Sequence, residues 1–264
     1  MSKGYFAPSI KRAFEILRLV STSKDGVGIS EIARDLGMAK STVHGMTSAL
    51  EEIGVVLRDP ATKRYTLGFT LFELGKNAYS QIDLKDLARP VAEELMERTN
   101  ASVFLGVLNW DHVTILDVVE PRTELKITAP IGTTMPLLAG AVGKVFLSKL
   151  DEEEVRRFIR TKGLIRFTEN SITSTDRYFQ EIRAARENGF ATDDEEYILG
   201  VRAVAAPIKK AAPLMSAIWV VGFKASLDED RMKLLTQYTM DAARAIDLRI
   251  EQQLVGPMGY PTLP

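Results

Sequence analysis

The first 53 residues pair apolar positions at helical spacing with glycine breaks. The pattern predicts a helix over 9–21, a second over 31–36 with Ser30 as its N-cap, and a third over 40–53. Gly37 follows the second helix, as a residue that ends a helix commonly does. The buried stripe of the third helix is predicted to consist of Val43, Met46, Leu50 and Ile53. Short helices with a tight glycine turn before the last are typical of a helix-turn-helix.

A strand hairpin follows the third helix. Residues 55–58 and 64–67 alternate as strands do, and residues 59–62 have the composition of a turn. We therefore expect a winged helix-turn-helix domain over 7–68, followed by a linker helix over 69–83.

The rest of the chain mixes strand and helix patterns. We expect an α+β domain over 84–254, built around a central, mostly antiparallel sheet, and a disordered tail over 255–264. Pro90 predicts a kink or a fresh start in a helix over 84–99. The remaining predicted strands are 102–108, 113–119, 126–129, 203–209 and 215–224, and the remaining helices are 139–150, 152–160, 176–188 and 228–254.

The third helix and the hairpin carry the residue types that contact DNA. The helix opens with short hydroxyls and hydrogen-bond donors that suit phosphates and base edges in a major groove, and the hairpin adds cations that a wing would bring to the DNA backbone. The predicted DNA-binding residues are Lys40, Ser41, Thr42, His44, Arg58, Lys63 and Arg64. A purely protein-binding winged helix is the alternative.

Charge and composition agree with this interpretation. Residues 1–80 hold 11 Lys and Arg against 8 Asp and Glu, which leaves 23 against 27 for the remainder of the chain's 34 and 35. A basic N-terminal part on an acidic body fits a phosphate partner at one end. The chain contains no cysteine, no apolar run long enough to span a bilayer and no signal-peptide pattern at its start, so we expect a cytoplasmic protein without membrane contact.

Two long segments resemble one known family. The stretch GISEIARDLGMAKSTVHGMTSALEEIGVVLRDPATKRYTLG is similar to the DNA-binding domain of IclR-type transcriptional regulators, and GFATDDEEYILGVRAVAAPI is similar to the signature of their effector domain. The resemblance implies a GAF-like ligand-binding domain, a homodimer or tetramer, and binding to a double-stranded DNA operator. Gly45 stands where many relatives have arginine, which implies an altered contact with the operator at that position.

The resemblance also implies a small-molecule effector site. Its residues would be Ile127, Met135, Ala141, Val142, Asp193, Ala203, Trp219 and Val221. Leu138, Ala203, Trp219 and Val221 replace a common histidine, a cysteine and two serines of the family with apolar side chains. A small polar acid would lose its partners there. We therefore expect an aromatic or largely apolar organic acid as the effector, with Trp219 as a stacking face. The carboxylate of this ligand would be received by N–H groups at the start of the helix that follows APIGTTMPLLAG.

Other functions remain possible at this point. The acidic run 193–196 could serve an enzyme or hold a metal, but successive residues of an extended segment alternate faces, and the chain has two histidines, His44 and His112. We therefore expect no catalytic residue, no metal site and no cofactor, and a largely solvated acidic run. Lys144 follows glycines that lack the spacing of a phosphate-binding loop. A regulator that binds no ligand, with Trp219 filling the cavity, is the third alternative.

Overall fold

The computed structural model describes residues 7–80 and 83–255. The chain separates between residues 82 and 83 into two compact units. The linker helix predicted over 69–83 is described as far as Ser80, just before this division. The tail predicted to be disordered lies, from residue 256 onward, outside the described residues.

The N-terminal unit has the helix-turn-helix and wing that the pattern predicts. Its elements are α1 (Pro8–Ser21), α2 (Ile29–Asp35), α3 (Lys40–Glu52), β1 (Val56–Arg58), β2 (Tyr65–Leu67) and α4 (Phe69–Ser80). The prediction of Ser30 as a cap is wrong, because α2 begins earlier and Gly28 is its N-cap. The Gly28 N–H donates to the Glu31 carboxylate at 3.1 Å, so the third residue of the helix satisfies the N–H group of the N-cap residue. Ile53 is also not part of the buried stripe, since it lies beyond the helix and is exposed.

The core of this unit joins the helices to the wing. Ile16, Ile32 and Val43 from successive helices pack with Val56 and Tyr65 of the hairpin. Tyr65 also pairs with Val27 through two backbone hydrogen bonds of 2.9 Å. The hairpin is therefore fixed to the segment between α1 and α2, which gives it a defined position beside α3.

The C-terminal unit follows the predicted alternation of strands and helices. Its elements are α5 (Asp83–Thr99), β3 (Ser102–Asn109), β4 (His112–Val119), β5 (Thr134–Pro136), α6 (Gly140–Leu147), α7 (Glu152–Lys162), α8 (Thr175–Asn188), β6 (Ala191–Asp194), β7 (Val201–Ile208), β8 (Ser216–Phe223) and α9 (Glu229–Val255). Two details differ from the prediction. The helix containing Pro90 continues through it, which excludes the fresh start but not the kink, and residues 126–129 form no strand. Residues 132–136 pair with β4 instead, and so take the backbone groups that 126–129 would have needed.

The strands form an antiparallel sheet in the order β5-β4-β3-β8-β7-β6. Helices α5 and α9 pack with each other and with the central strands, whereas α6 packs with β6, β7, β8 and α8. A core of Phe104, Phe146, Tyr178 and Trp219, among others, fills the layer beneath α6 and α8. No helix within residues 7–80 and 83–255 is long and apolar enough to cross a bilayer.

Candidate DNA-binding surface and effector cavity

The start of α3 presents the predicted polar face. Lys40, Ser41, Thr42 and His44 are all exposed, while Val43 between them is buried in the core. The His44 ring nitrogen Nδ1 lies 3.2 Å from the Ser48 hydroxyl one turn further along. This face therefore offers an ammonium, hydroxyls and an imidazole to a partner, held in place by the opposite face of the same helix.

The wing turn is held by Asp59. Its carboxylate accepts hydrogen bonds from the N–H groups of Ala61 at 2.9 Å and Thr62 at 2.6 Å, and from the Thr62 hydroxyl. These donors, the Thr62 N–H foremost, hold the pKa of Asp59 below its ordinary value. The turn leaves Lys63 exposed at its tip with a left-handed backbone, and Arg58 lies over the Tyr65 ring at 5.8 Å. Lys63 and Arg58 are therefore placed to meet an anionic partner.

Arg64 is engaged inside the unit rather than presented to solvent like Lys63. Its guanidinium binds both oxygens of Glu31, at 2.8 and 3.2 Å, and its Nε donates to the Gly26 carbonyl at 3.0 Å. The Gly28 N–H and then Arg64 keep the pKa of Glu31 below its ordinary value. A bidentate pair with a carboxylate engages guanidinium donors that could otherwise bind a phosphate. Arg64 joins the wing to the start of α2.

The C-terminal unit contains a largely apolar cavity of about 200 Å³ that is partly open to solvent. Every residue that the resemblance implied for the effector site lines this one cavity, together with residues that the sequence did not single out, among them Phe104, Ile115 and Tyr197. Leu138 is the exception among the substituted family positions. It packs on the outside of the core and lines another depression, so its replacement of a histidine does not change the cavity.

The strand register explains why these residues meet. Asp193, Ala203 and Val221 lie directly opposite one another on β6, β7 and β8, and directly opposed residues of antiparallel strands share a face. Two residues further along, Trp219 lies opposite Ala205 on one side and Phe104 on the other. The small Ala203 side chain, which lines the cavity, takes up little of its space.

Trp219 is both a wall of the cavity and a part of the core. Its ring is stacked on Phe104 with centroids 5.5 Å apart and planes at 11°, and 3% of the residue is exposed. A Cβ on Gly106 would lie 2.8 Å from the edge of the indole, so the glycine makes room for the ring. Trp219 therefore fills part of the core, because one face of its ring is covered by Phe104, and it also lines the cavity, so the two alternatives for this residue do not exclude each other.

The polar end of the cavity is formed by Asp193 of β6, which lies beside the first residue of α6. Its carboxylate accepts the Glu196 N–H at 2.7 Å, and its other oxygen lies 3.0 Å from the point where a Cβ of Gly140 would stand. Burial raises the pKa of Asp193, although the Glu196 N–H and the charge of Lys144 act in the opposite direction. A carboxylate of the protein thus already occupies the neighbourhood of the N–H groups that we expected to receive a ligand carboxylate.

Behind Asp193 lies a buried lysine whose role the sequence pattern did not indicate. Lys144 is 1% exposed, and its ammonium donates to Glu196 at 2.6 Å and to the Thr192 carbonyl at 3.0 Å, with Glu181 at 3.4 Å. Burial raises the pKa of Glu196 in spite of this contact. The sequence signal for this buried ion pair was a lone lysine within the apolar run GAVGKVFL. A lysine inside a core requires an anionic partner.

The acidic run is mostly paired and does not converge on one point. Asp194 binds Arg202 at 2.7 Å, Glu195 binds Lys224, and Glu196 binds Lys144. The expectation that these residues form solvated surface is therefore wrong for Glu195 and Glu196, which are largely shielded by their basic partners. Among the described residues no group of three or more His, Asp or Glu side chains is arranged to hold a metal ion. His112 opens β4 with its Nδ1 atom 3.1 Å from Asp111.

A helix-turn-helix with an exposed polar recognition helix, joined in one chain to a unit with a largely apolar cavity, defines a transcriptional regulator with an effector-binding domain. The family model for the IclR helix-turn-helix domain matches residues 9–60, and the model described as bacterial transcriptional regulator IclR C-terminal matches residues 76–248. The chain belongs to the IclR family of bacterial transcriptional regulators.

Known proteins of this family align along most of the chain. The HTH-type transcriptional regulator KipR of Bacillus subtilis is 32% identical over 228 residues, which cover 86% of this chain and 91% of KipR. The crystal structure of an IclR transcriptional regulator from Alicyclobacillus acidocaldarius superposes with a TM-score of 0.75 at 26% identity, and covers 93% of this chain and 100% of that one. An IclR homologue from Microbacterium hydrocarbonoxydans, solved in complex with 4-hydroxybenzoate, has the same fold, with a TM-score of 0.72 at 19% identity and 92% and 99% coverage.

Proposed function

We propose that this protein is a ligand-responsive regulator that binds a pseudo-palindromic operator and senses a small aromatic or largely apolar organic acid. The observation that carries the proposal is the apolar cavity, whose wall contains all the residues implied for the effector site. The proposal has three parts, which concern the DNA surface, the ligand and the assembly.

The DNA surface consists of the start of α3 and the tip of the wing. Lys40, Ser41, Thr42 and His44 enter the major groove, and Arg58 and Lys63 meet the phosphate backbone. Arg64 acts through Glu31 by holding the wing in place, and does not itself neutralise a phosphate.

The ligand is an aromatic or largely apolar acid with a single-ring body. A cavity near 200 Å³ exceeds the ~150 Å³ that accommodates benzene in an apolar protein interior. Ile127, Met135, Ala141, Val142 and Ala203 offer only apolar side-chain surface, so a small hydrophilic acid would find few partners among them. The complex of the Microbacterium relative with 4-hydroxybenzoate supports this ligand class.

A homodimer or tetramer completes the operator-binding form. Helices α1 and α4 of the N-terminal unit leave large apolar side chains exposed, namely Ile10, Phe14, Phe69, Phe72 and Leu74. Exposed apolar patches of this kind mark protein contacts. A second copy that covers them would present two α3 helices to successive major grooves, in keeping with the two-fold symmetry of such operators. The assembled subunits adopt two arrangements that differ in operator affinity. The effector acts by binding one arrangement more tightly than the other.

The effector part is tested by tryptophan fluorescence. Trp110 is exposed and Trp219 lines the cavity, so a Trp110→Phe variant leaves one tryptophan, in the proposed site. Titration with substituted benzoates should change the Trp219 emission in a saturable way and raise the melting temperature, because the ligand binds the folded state. Two- and three-carbon oxoacids serve as the matched polar ligands and should do neither.

The regulatory part is tested on DNA from the protein's own genomic neighbourhood. Fluorescence anisotropy should show salt-dependent binding, and an acid that changes Trp219 emission should change operator affinity as well. Binding of aromatic acids without any effect on DNA affinity would contradict ligand response. Absence of ligand binding together with normal operator affinity would support the regulator that binds no ligand.

A further inference from the structure

A second cavity lies beside the first and differs from it in chemistry. Its volume is about 180 Å³, and it shares Ile127 and Val221 with the apolar cavity. Its wall contains hydroxyl, amide and cationic side chains as well as apolar ones. The polar lining residues are Thr99, Asn100, Ser102, Thr123, Lys126, Ser226 and Arg231.

The sheet register connects the two cavities. Ser102 on β3 lies directly opposite Val221, so the row formed by Asp193, Ala203 and Val221 continues to Ser102 on the same face of the sheet. Asp193 therefore lines the apolar cavity at one end of this row, and Ser102 lines the polar cavity at the other. Val221 and Ile127 line both cavities.

The Ser102 hydroxyl is buried without a partner. Ser102 is 1% exposed, and within residues 7–80 and 83–255 no group accepts from or donates to its oxygen. A buried hydroxyl without a hydrogen bond costs about 1–3 kcal/mol. A ligand that supplied the missing partner would recover part of this cost.

The charges around the polar cavity favour an anion. The Arg231 guanidinium donates to the Ser226 carbonyl at 2.9 Å, and no acidic side chain of the described chain forms an ion pair with it. Lys126 adds a second cation, although Glu120 neutralises it at 2.7 Å. None of the described residues that line this cavity is acidic. The apolar cavity has the opposite character, because its one acidic wall residue is Asp193.

We propose that the polar cavity is an anion subsite that receives the carboxylate of an extended ligand whose aromatic ring lies in the apolar cavity. This assignment rests on the proposed effector function. The row of Trp219 and Phe104 is two residues from the row of Val221 and Ser102, which corresponds to about 7 Å along the strands. The ligand class is therefore an aryl-alkanoic acid with a short methylene chain, and Arg231 and Ser102 bind its carboxylate.

The test compares ligands that differ at one end. 4-Phenylbutanoate and its neutral amide are titrated into the full-length protein by calorimetry, with benzoate as the short acid. The acid should bind about tenfold more tightly than the amide, as a charge-assisted hydrogen bond provides. Benzoate should show no such advantage over benzamide, because its carboxylate does not reach Arg231.

Variants locate the carboxylate. Arg231→Gln should abolish the tenfold preference for the acid and leave amide affinity unchanged, and Ser102→Ala should reduce the preference several-fold. Lys233→Gln is the matched control, since it removes a cation from the same helix outside the cavity. Equal affinity for acid and amide, or equal losses in the Arg231 and Lys233 variants, would overturn the subsite while leaving the apolar site intact. Failure of the amide, benzoate and phenylbutanoate alike to bind would overturn both the subsite and the proposed ligand class.

Discussion

Gly45 and Gly37 form a pair of substitutions whose effects on stability should have opposite signs. Both glycines are exposed, and apart from the adjoining residues and the backbone of the helix itself no atom of the described chain lies within 4 Å of an added Cβ. Neither replacement by alanine can therefore create a clash with the described structure. The two positions differ in backbone conformation alone, since Gly45 lies inside α3 and Gly37 has a left-handed φ of 61°.

The magnitudes follow from the backbone. Gly45→Ala replaces a poor helix former with the best one and should stabilise α3 by about 1 kcal/mol. Gly37→Ala places a Cβ in a conformation that costs an L-residue about 1–2 kcal/mol and should destabilise the turn by that amount. Neither change removes a hydrogen-bonding side chain, so no other contribution should offset these values.

Hydrogen exchange measured by mass spectrometry separates the two units. A change of 1 kcal/mol alters the open population about fivefold, so amides of residues 29–67 should exchange about fivefold more slowly in Gly45→Ala and faster in Gly37→Ala. Peptides from residues 102–223 serve as the internal control and should not change. If Gly37→Ala protected the N-terminal unit as much as Gly45→Ala does, the argument from backbone conformation would be refuted.

The remaining predictions concern the ion pairs and the cavity. Arg64→Ala should loosen the wing and leave the slope of log affinity against log salt unchanged. A decrease of about 0.9 in the magnitude of that slope would instead show that Arg64 contacts a phosphate. Lys144→Met should destabilise the protein by about 3–5 kcal/mol in urea denaturation, and Glu196→Gln in the same chain should restore much of it, because the unpaired buried carboxylate is then removed. Burial raises the pKa of Asp193 above its ordinary value of 3.8, so its ionisation opposes folding. The melting temperature of the wild-type protein should therefore fall relative to that of Asp193→Asn, which can still accept the Glu196 N–H, as the pH rises through that raised pKa. Trp219→Phe should enlarge the cavity and improve the affinity for two-ring acids about tenfold over single-ring acids; an unchanged ratio would show that the indole does not limit ligand size.

The pattern of apolar residues was sufficient for most elements, and its errors have local causes. Residues 126–129 carry a strand-like sequence, but residues 132–136 pair with β4 in their place. Ser30 has the chemistry of a cap, yet Glu31 supplies the capping oxygen from inside the helix. In each case the sequence offers two nearby candidates for one structural role, and propensity does not decide between them.

The charged residues show a different limit. Arg64 and Lys63 are adjacent cations in one hairpin, and sequence gives them the same role. In the structure Lys63 is exposed at the tip, whereas Arg64 binds a carboxylate from a helix more than thirty residues away in the chain. Glu196 and Lys144 are likewise paired across 52 positions.

The sequence by itself determined the helix-turn-helix, the wing, the α+β character of the second unit and, through resemblance, which residues line the cavity. These features depend on spacing within a segment, because side-chain period and turn chemistry are local properties. Only the tertiary structure decided the partners of the buried charges, the stacking of Trp219 on Phe104 and the second cavity beside Ser102. Such features arise where strands distant in the chain come into register, and the free energy of each contact depends on burial that no single segment encodes.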